Sequence, residues 1–374
     1  MAREPRRFES AEDVMQRALA LAFYGLGHVE PNPPVGAVIV DDDLALIGEG
    51  YHHRFGGPHA EVHALADAGD RAAGATMFVT LEPCAHHGKT PPCADAVIRA
   101  GLKRVVVAMQ DPAPHVAGSG IERMRQAGLD VEVGLLEADA RRLTAAFVKR
   151  ISTGRPWIIA KWAMTLDGRI ASHTSHSQWI SNPTSRQKVH ELRGRCDAVM
   201  VGIGTALADD PLLTARPTGP RLATRIVVDS QSRLPLDSQL VQSARDVPLL
   251  VAALESASEE AGAALTTAGA EILRLPADPD NHVSLPALLD ELGRREMTNV
   301  LVEGGAGLLG SLHDERLIDE CQIFIAPKLV GGATAPAPLG GRGLDRIPAS
   351  SSFEHVEFEM LEDDLFVRGW VHTG

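Results

Sequence analysis

In AEDVMQRALALAFYG (11–25) apolar residues recur three and four apart, directly after Ser10, so the pattern predicts a helix capped by that serine. PNPPVGAVIV (31–40) breaks the helix and opens a buried strand. A further helix is expected to begin near His59, and a short strand, TMFVTL (76–81), to end at Glu82. Pro91-Pro92-Cys93 precedes another helix, since proline near a first turn forfeits no hydrogen bond. RVVVAM (104–109), IERMRQAG (121–128) and VEVGLL (131–136) then alternate strand, helix and strand. Such alternation predicts an α/β sandwich with a largely parallel sheet.

A helix, ADARRLTAAFVKRIST (138–153), ends at GRP (154–156), and the pattern restarts. Strands are expected at WIIAKWAM (157–164), AVMVGI (198–203), RIVVDS (225–230), PLLVAA (248–253), AEILRL (270–275) and NVLVEGG (299–305), with helices between them. ECQIFIAPKLVGG (320–332) and HVEFEMLEDDLFVRGWVH (355–372) alternate like an antiparallel ribbon, and GGATAPAPLGGRG (331–343) is expected to be a mobile loop. We therefore expect two α/β domains, 1–152 and 153–374, as a chain of 374 residues is long for one core.

Composition narrows the function. Lys and Arg number 36 against 49 Asp and Glu, a net charge of −13, so a nucleic-acid partner is not expected. No apolar run approaches the roughly 20 residues of a membrane helix, and MAREPRR at the start leads into no apolar segment like that of a secretory signal. Four cysteines in so long a chain suit a reducing compartment, so a cytoplasmic enzyme is expected.

The chemistry concentrates in GGPHAEVHAL (56–65) and VTLEPCAHHGKTPPCADAV (79–97). His59, Cys84 and Cys93 supply the imidazole and thiolates that zinc favours, and three protein ligands leave a place for water. Glu61, two residues after the histidine, is placed to exchange protons with that water, as in zinc deaminases. The cysteines stand nine apart rather than the usual three, so the insert between them would be pinned over the site, where Lys89 could meet an anion. A structural zinc site would instead be closed by a fourth ligand, for which His63, His86 and His87 are available. His63 fits a helix-face position better than a ligand, and Cys196 and Cys321 fit ordinary buried thiols. In the second half, the glycines of VEGGAGLLG (302–310) would let backbone N–H groups approach a phosphate at a helix start, though this is not the GxGxxG fingerprint.

PNPPVGAVIV, GEGYHHRFGGPHAEVHAL and EPCAHHGKTPPC together resemble the bifunctional deaminase–reductases of riboflavin biosynthesis, including the nine-residue cysteine spacing. KWAMTLDGRIA, SQWIS, TALADDPLLTAR, VDSQSRLP, LVEGGAGLLGSL and IAPKLVGG are similar to the reductase part, in the same order. The resemblance implies a cytidine-deaminase-like α/β/α sandwich followed by a dihydrofolate-reductase-like α/β domain. It implies hydrolytic removal of the 2-amino group of a diaminopyrimidinone ribosylamino phosphate, then NADPH reduction of the ribosyl chain to ribityl. It also implies zinc on His59, Cys84 and Cys93 with Glu61 as proton donor, and pyrimidine and phosphate contacts from Asn32, His52, His86 and Lys89.

For the reductase the resemblance places Ala163, Trp179, Thr205, Asp209, Ser230 and the run Gly305, Ala306, Gly307, Leu308, Leu309, Gly310 and Ser311 on NADPH. It places Ser177, Arg193, Leu213, Arg216 and Glu303 on the substrate, with the two arginines suited to clamping its phosphate and Glu303 to binding ribose hydroxyls. Plainer roles compete: surface ion pairs for the arginines, a helix-capping role for Asp209, a core position for Trp179, a surface turn for His52. A homo-oligomer, dimer or tetramer, built through the second domain would suit the family. The rival functions are a nucleic-acid-editing deaminase, disfavoured by the charge, and a non-catalytic zinc protein, disfavoured by Glu61.

Overall fold

The computed structural model describes residues 6–85, 91–113, 117–347 and 352–371. The chain divides into two compact units, Met1–Gly154 and Arg155–Gly374.

The first unit is built on a five-stranded sheet of β1 (Gly36–Val40), β2 (Leu46–Tyr51), β3 (Thr76–Val79), β4 (Arg104–Val107) and β5 (Asp130–Val133), in the order β2-β1-β3-β4-β5. Contrary to the expected largely parallel sheet, β1 runs antiparallel to both β2 and β3, and only β3, β4 and β5 are mutually parallel. The short connection from β1 to β2 makes a hairpin, and no crossover helix fits into five residues. Ser10 caps the helix Ala11–Phe23 in a reciprocal capping box with Asp13. That helix lies close enough to β1 that a Cβ on Gly36 would stand 2.0 Å from the Ala18 carbonyl oxygen. The helix Ala60–Ala68 also lies against β2, with the Ala64 backbone nitrogen 2.6 Å from the place of a Cβ on Gly50. The single helix expected over 138–153 is two, Glu137–Leu143 and Ala145–Thr153. Thr144 leaves helical geometry between them, while its hydroxyl donates to the Ala140 carbonyl at 2.8 Å.

The second unit carries nine strands: β6 (Trp157–Thr165), β7 (Ala198–Gly202), β8 (Thr224–Val228), β9 (Leu249–Leu254), β10 (Glu271–Leu275), β11 (Asn299–Glu303), β12 (Glu320–Ala326), β13 (Phe353–Leu361) and β14 (Asp364–Val371). Their order is β10-β9-β8-β7-β11-β6-β12-β14-β13. The first seven in that order are parallel, and β14 and β13 add antiparallel strands at one edge. The ribbon expected at the C-terminal end is thus only half antiparallel, since β12 pairs in parallel with β6 on its other side. Alternate residues of the central strands feed two separate cores, Ile158, Met200 and Leu250 into one, Ile159, Val199 and Val251 into the other. Burial on both faces explains why these strands read as continuous apolar runs. The 331–343 segment, expected to be mobile, is fastened to the helix Ala306–Asp314. Asp314 accepts from the N–H groups of Arg342 and Gly343 at 2.7 and 3.0 Å.

Candidate metal centre and ligand cleft

Three chain segments meet at one point in the first unit. His59 is the N-cap residue of the helix Ala60–Ala68, Cys84 lies in the loop after β3, and Cys93 begins the helix Cys93–Arg99. Their ligand atoms all fall within 4.8 Å of one another. His59 Nδ1 is 3.7 Å from Cys84 Sγ and 3.3 Å from Cys93 Sγ. Tetrahedral zinc bonds of about 2.3 Å to sulfur and about 2.05 Å to nitrogen imply an N···S edge of about 3.6 Å, which these two distances bracket. The residues therefore fit the ion. The backbone closes the group further, as Cys93 N–H donates to Cys84 Sγ at 3.3 Å and Ala94 N–H to the Cys84 carbonyl at 3.1 Å.

The surrounding electrostatics suit a metal site. Cys84 is drawn down, first by its hydrogen bond with the Cys93 thiol and further by that with His59. His59 is raised chiefly by its hydrogen bond with Cys84. Glu61 is 3% exposed, and its Oε2 is buried with no hydrogen-bond partner among the described residues. Burial pushes that carboxyl up to about 7. An unpartnered buried carboxylate oxygen beside three metal-type ligands is where a proton acceptor is needed and where a structural role has no use for it.

His52 is buried rather than placed on a surface turn, and its ring lies 4.9 Å from that of His59. Burial lowers it to about 4, which keeps the imidazole neutral. His63 stacks on His53 at 3.9 Å and stands outside the ligand trio. Asn32 is half-buried in the segment leading into β1, where its N–H donates to the Val29 carbonyl. His86, His87 and Lys89 lie outside the described residues.

Sequence reasoning missed two supports of this centre. The buried carboxylate of Glu82 accepts from four backbone N–H groups, those of Asp111, Gly118, Gly120 and Ile121, at 2.8 to 3.3 Å. Arg123 reaches both cysteine-bearing segments, donating to the Ala85 carbonyl at 3.2 Å and pairing with Asp95 at 2.7 Å. Neither is legible as a motif, because each works across a distance in sequence.

In the second unit a cleft of about 1070 Å³ opens at the carboxyl ends of the parallel strands. Ligands of open α/β sheets bind in such crevices. It is lined by Ala163 from β6, Thr205 and Asp209 after β7, Ser230 after β8, and Glu303, Gly305, Ala306, Gly307, Leu308, Leu309 and Ser311 at and after β11. Ser177, Trp179, Arg193, Leu213 and Arg216 complete the set expected from the sequence, except for Gly310. That glycine is turned away, packed so closely on Gly340 that a Cβ would stand 2.3 Å from its carbonyl carbon.

Several plainer roles are displaced by the geometry. Trp179 is 64% exposed at the rim, not core, with the Arg186 guanidinium 4.6 Å above its ring. Asp209 accepts a hydrogen bond from Ser177 at 3.1 Å, joining an expected cofactor contact to an expected substrate contact. Arg193 is no surface residue; it grips Glu303 with Nε and Nη2 and donates from Nη1 to the Thr214 carbonyl. Its fork is thus occupied by a buried carboxylate, and the expected phosphate clamp does not stand open. Arg216 remains exposed at the rim. Lys161, also unforeseen, lines the cleft and sits 3.4 Å from Glu303 Oε2. A lone lysine inside the apolar strand WIIAKWAM was the signal for it.

Comparison with known proteins follows the same division. Residues 8–109 match the cytidine and deoxycytidylate deaminase zinc-binding region, and residues 156–367 match the RibD C-terminal domain. The chain is 40% identical to the riboflavin biosynthesis protein RibD of Actinobacillus pleuropneumoniae over 355 residues, 95% of this chain and 94% of that protein. It is 41% identical to that of Escherichia coli strain K12, with 95% and 97% covered. Among solved structures it is similar to Acinetobacter baumannii RibD, with a TM-score of 0.83 at 38% identity. It is equally similar to the Thermotoga maritima diaminohydroxyphosphoribosylaminopyrimidine deaminase/5-amino-6-(5-phosphoribosylamino)uracil reductase, with a TM-score of 0.82 at 36% identity. Each of these two covers 96% of this chain and 98% of the other. The fold and the His-Cys-Cys centre define a zinc-binding deaminase domain joined to a reductase domain. The chain belongs to the RibD family of riboflavin-biosynthesis proteins, bifunctional deaminases and reductases.

Proposed function

We propose that the chain carries out two consecutive steps on phosphorylated pyrimidines. The first is hydrolytic deamination of 2,5-diamino-6-(5-phosphoribosylamino)pyrimidin-4(3H)-one by a domain spanning 1–152. The second is NADPH reduction of 5-amino-6-(5-phosphoribosylamino)uracil to its ribitylamino product by a domain spanning 153–374. The observation that carries the first step is the meeting of His59, Cys84 and Cys93 beside the unpartnered Oε2 of Glu61.

In the deaminase, His59 Nδ1 and the two thiolates would hold zinc, and such an ion would supply the charge that lowers the pKa of a water toward neutral. Glu61 Oε2 takes the proton that water gives up and delivers it to the departing amine. A carbon–oxygen bond forms at the pyrimidine 2-position, the carbon–nitrogen bond there breaks, and ammonia leaves. His52, kept neutral by burial, offers the pyrimidine a hydrogen-bonding edge without a competing charge. Asn32, His86 and Lys89 are assigned to substrate on family likeness.

In the reductase, the N–H groups after Gly305 and the start of the helix Ala306–Asp314 would receive a cofactor phosphate. Trp179 and Thr205, which line the same cleft, would flank the nicotinamide dinucleotide, and Arg216 would meet the substrate phosphate. The cleft is large enough for cofactor and substrate together, at the upper end of ordinary ligand sites.

Among the described residues no helix is long and apolar enough to cross a membrane. The free thiols and acidic balance suit a cytoplasmic enzyme. A dimer or tetramer through the second unit is supported by the edge strand β13, which exposes Phe358 and Met360 on one face.

A coupled assay tests both steps, following ammonia release and then NADPH oxidation on the aminouracil. Glu61→Gln should keep its zinc and its reductase rate while ammonia release falls by about 10²–10⁴. Undiminished ammonia release from that variant refutes Glu61 as the proton carrier, and no ammonia release from the zinc-loaded wild type refutes the deaminase assignment.

A further inference from the structure

The geometry points to Arg123 as a positioning residue for the metal centre, tying the chain just after Cys84 to the helix that starts at Cys93 and so fixing the separation of the two sulfurs. The inference rests on His59, Cys84 and Cys93 being the zinc ligands.

A three-residue spacing couples two cysteines through one tight turn. Here they stand nine apart, and a spacing of that length does not by itself set the distance between the sulfurs. Two backbone hydrogen bonds to Cys84, from Cys93 and Ala94, make the direct link. Arg123 makes the indirect one. Nη1 donates to the carbonyl of Ala85, one residue beyond Cys84, and Nη2 pairs with Asp95, two residues beyond Cys93.

A guanidinium can fix two anchors only if its own backbone is fixed. Arg123 sits on the helix Ser119–Gln126, which is seated on the Glu82–Ala85 segment by two independent features. The Glu82 carboxylate takes the N–H groups of Gly120 and Ile121. Gly120 also lies so near Pro83 that a Cβ would stand 2.0 Å from its carbonyl oxygen. The helix thus carries Arg123 at a set height over both cysteine segments.

The Arg123 side chain is 45% exposed and that of Asp95 20%, so the ion pair itself adds little to stability. This separates the two roles. A surface ion pair would leave zinc binding untouched, whereas a positioning residue changes zinc affinity with little change in thermal stability.

The test uses the full chain, stripped of metal and titrated with Zn²⁺ against a chromophoric chelator. Arg123→Ala should weaken zinc binding about tenfold, the low end of what outer-shell partners contribute. Asp95→Asn should produce part of that loss, and the double variant should be no worse than Arg123→Ala, which already removes the Asp95 contact together with the one to Ala85. Arg123→Lys, which keeps the charge but cannot reach both anchors, should not restore full affinity. In the cobalt-substituted protein, the thiolate-to-metal absorption should change in Arg123→Ala and Asp95→Asn. Wild-type zinc affinity and an unchanged cobalt spectrum in both Arg123→Ala and Asp95→Asn overturn the inference. Should Arg123→Ala fail to fold, Asp95→Asn, which is isosteric, decides alone. Cys84→Ala distinguishes the underlying assignment: if that variant still holds one zinc with wild-type affinity, the ligand reading fails, not the role of Arg123.

Discussion

The Arg193 guanidinium meets the Glu303 carboxylate edge to edge within the second-unit cleft, Nε to Oε1 at 2.5 Å and Nη2 to Oε2 at 2.9 Å. Lys161 adds a third, longer contact. Burial works against the charge on Glu303, and the positive charges of Arg193 and then Lys161 overcome it, holding the carboxyl down to about 2. Removing one partner of so buried a pair strands the other. Arg193→Ala should therefore destabilise the second unit by about 3 kcal/mol in urea unfolding, and replacing both partners by leucine should cost less. The pH dependence has a definite sign. An unfolded glutamate titrates near 4.3, so between about pH 4.3 and about pH 2 the unfolded chain binds a proton that the folded chain does not. Glu303 thus stabilises fully above that window and loses its contribution as pH falls through it. Glu303→Gln should flatten the acid limb of stability against pH there, and an acid limb as steep as the wild type's would contradict this account.

Glu82 organises the first unit by collecting backbone donors rather than by chemistry. Two of its four N–H partners, Asp111 and Gly118, lie between β4 and the helix Ser119–Gln126, and the other two, Gly120 and Ile121, lie in that helix's first turn. Glu82→Ala leaves those donors facing an apolar gap, at a cost of about 3 kcal/mol. Glu82→Gln should fare little better, because its amide group turns donors toward donors. Urea unfolding of the metal-free protein checks this without help from zinc binding. Midpoints equal to wild type in both variants would show that water replaces the carboxylate at no cost.

These relationships also show where the sequence is informative. Apolar runs such as AVMVG and LLVAAL mark buried strands directly, because both of their faces are covered. The metal ligands were visible because thiolates, imidazole and carboxylate in one short neighbourhood have few other uses. Strand direction was not visible: nothing in GAVIV says that its neighbours on both sides run the opposite way. The pairing of Arg193 with Glu303 was hidden for a different reason. The two residues lie 110 positions apart, and an arginine near a phosphate site has two equally good partners until the fold brings one of them close. Gly310, expected as a cofactor contact, packs on Gly340 instead of lining the cleft, and a glycine that lets a ligand approach and one that lets a loop approach look the same in sequence.

Gly307 and Gly310 turn that last ambiguity into an experiment. Around Gly307 there is open space, with nothing within 4 Å of a Cβ placed there, and the residue lines the cleft. Gly310 faces the other way, and its Cβ would collide with Gly340, whose N–H bonds the Ala306 carbonyl at 2.9 Å. Overpacking a fixed backbone contact costs about 1–3 kcal/mol, so Gly310→Ala should unfold earlier in urea. Gly307→Ala should unfold with the wild type, yet bind NADPH about tenfold more weakly, if the cofactor phosphate comes as near the backbone as a helix N-terminus permits. Titration of NADPH fluorescence with each variant separates the two effects. If Gly307→Ala binds NADPH as the wild type does, the cofactor phosphate lies elsewhere in the cleft, and the N–H groups after Gly305 are not its site.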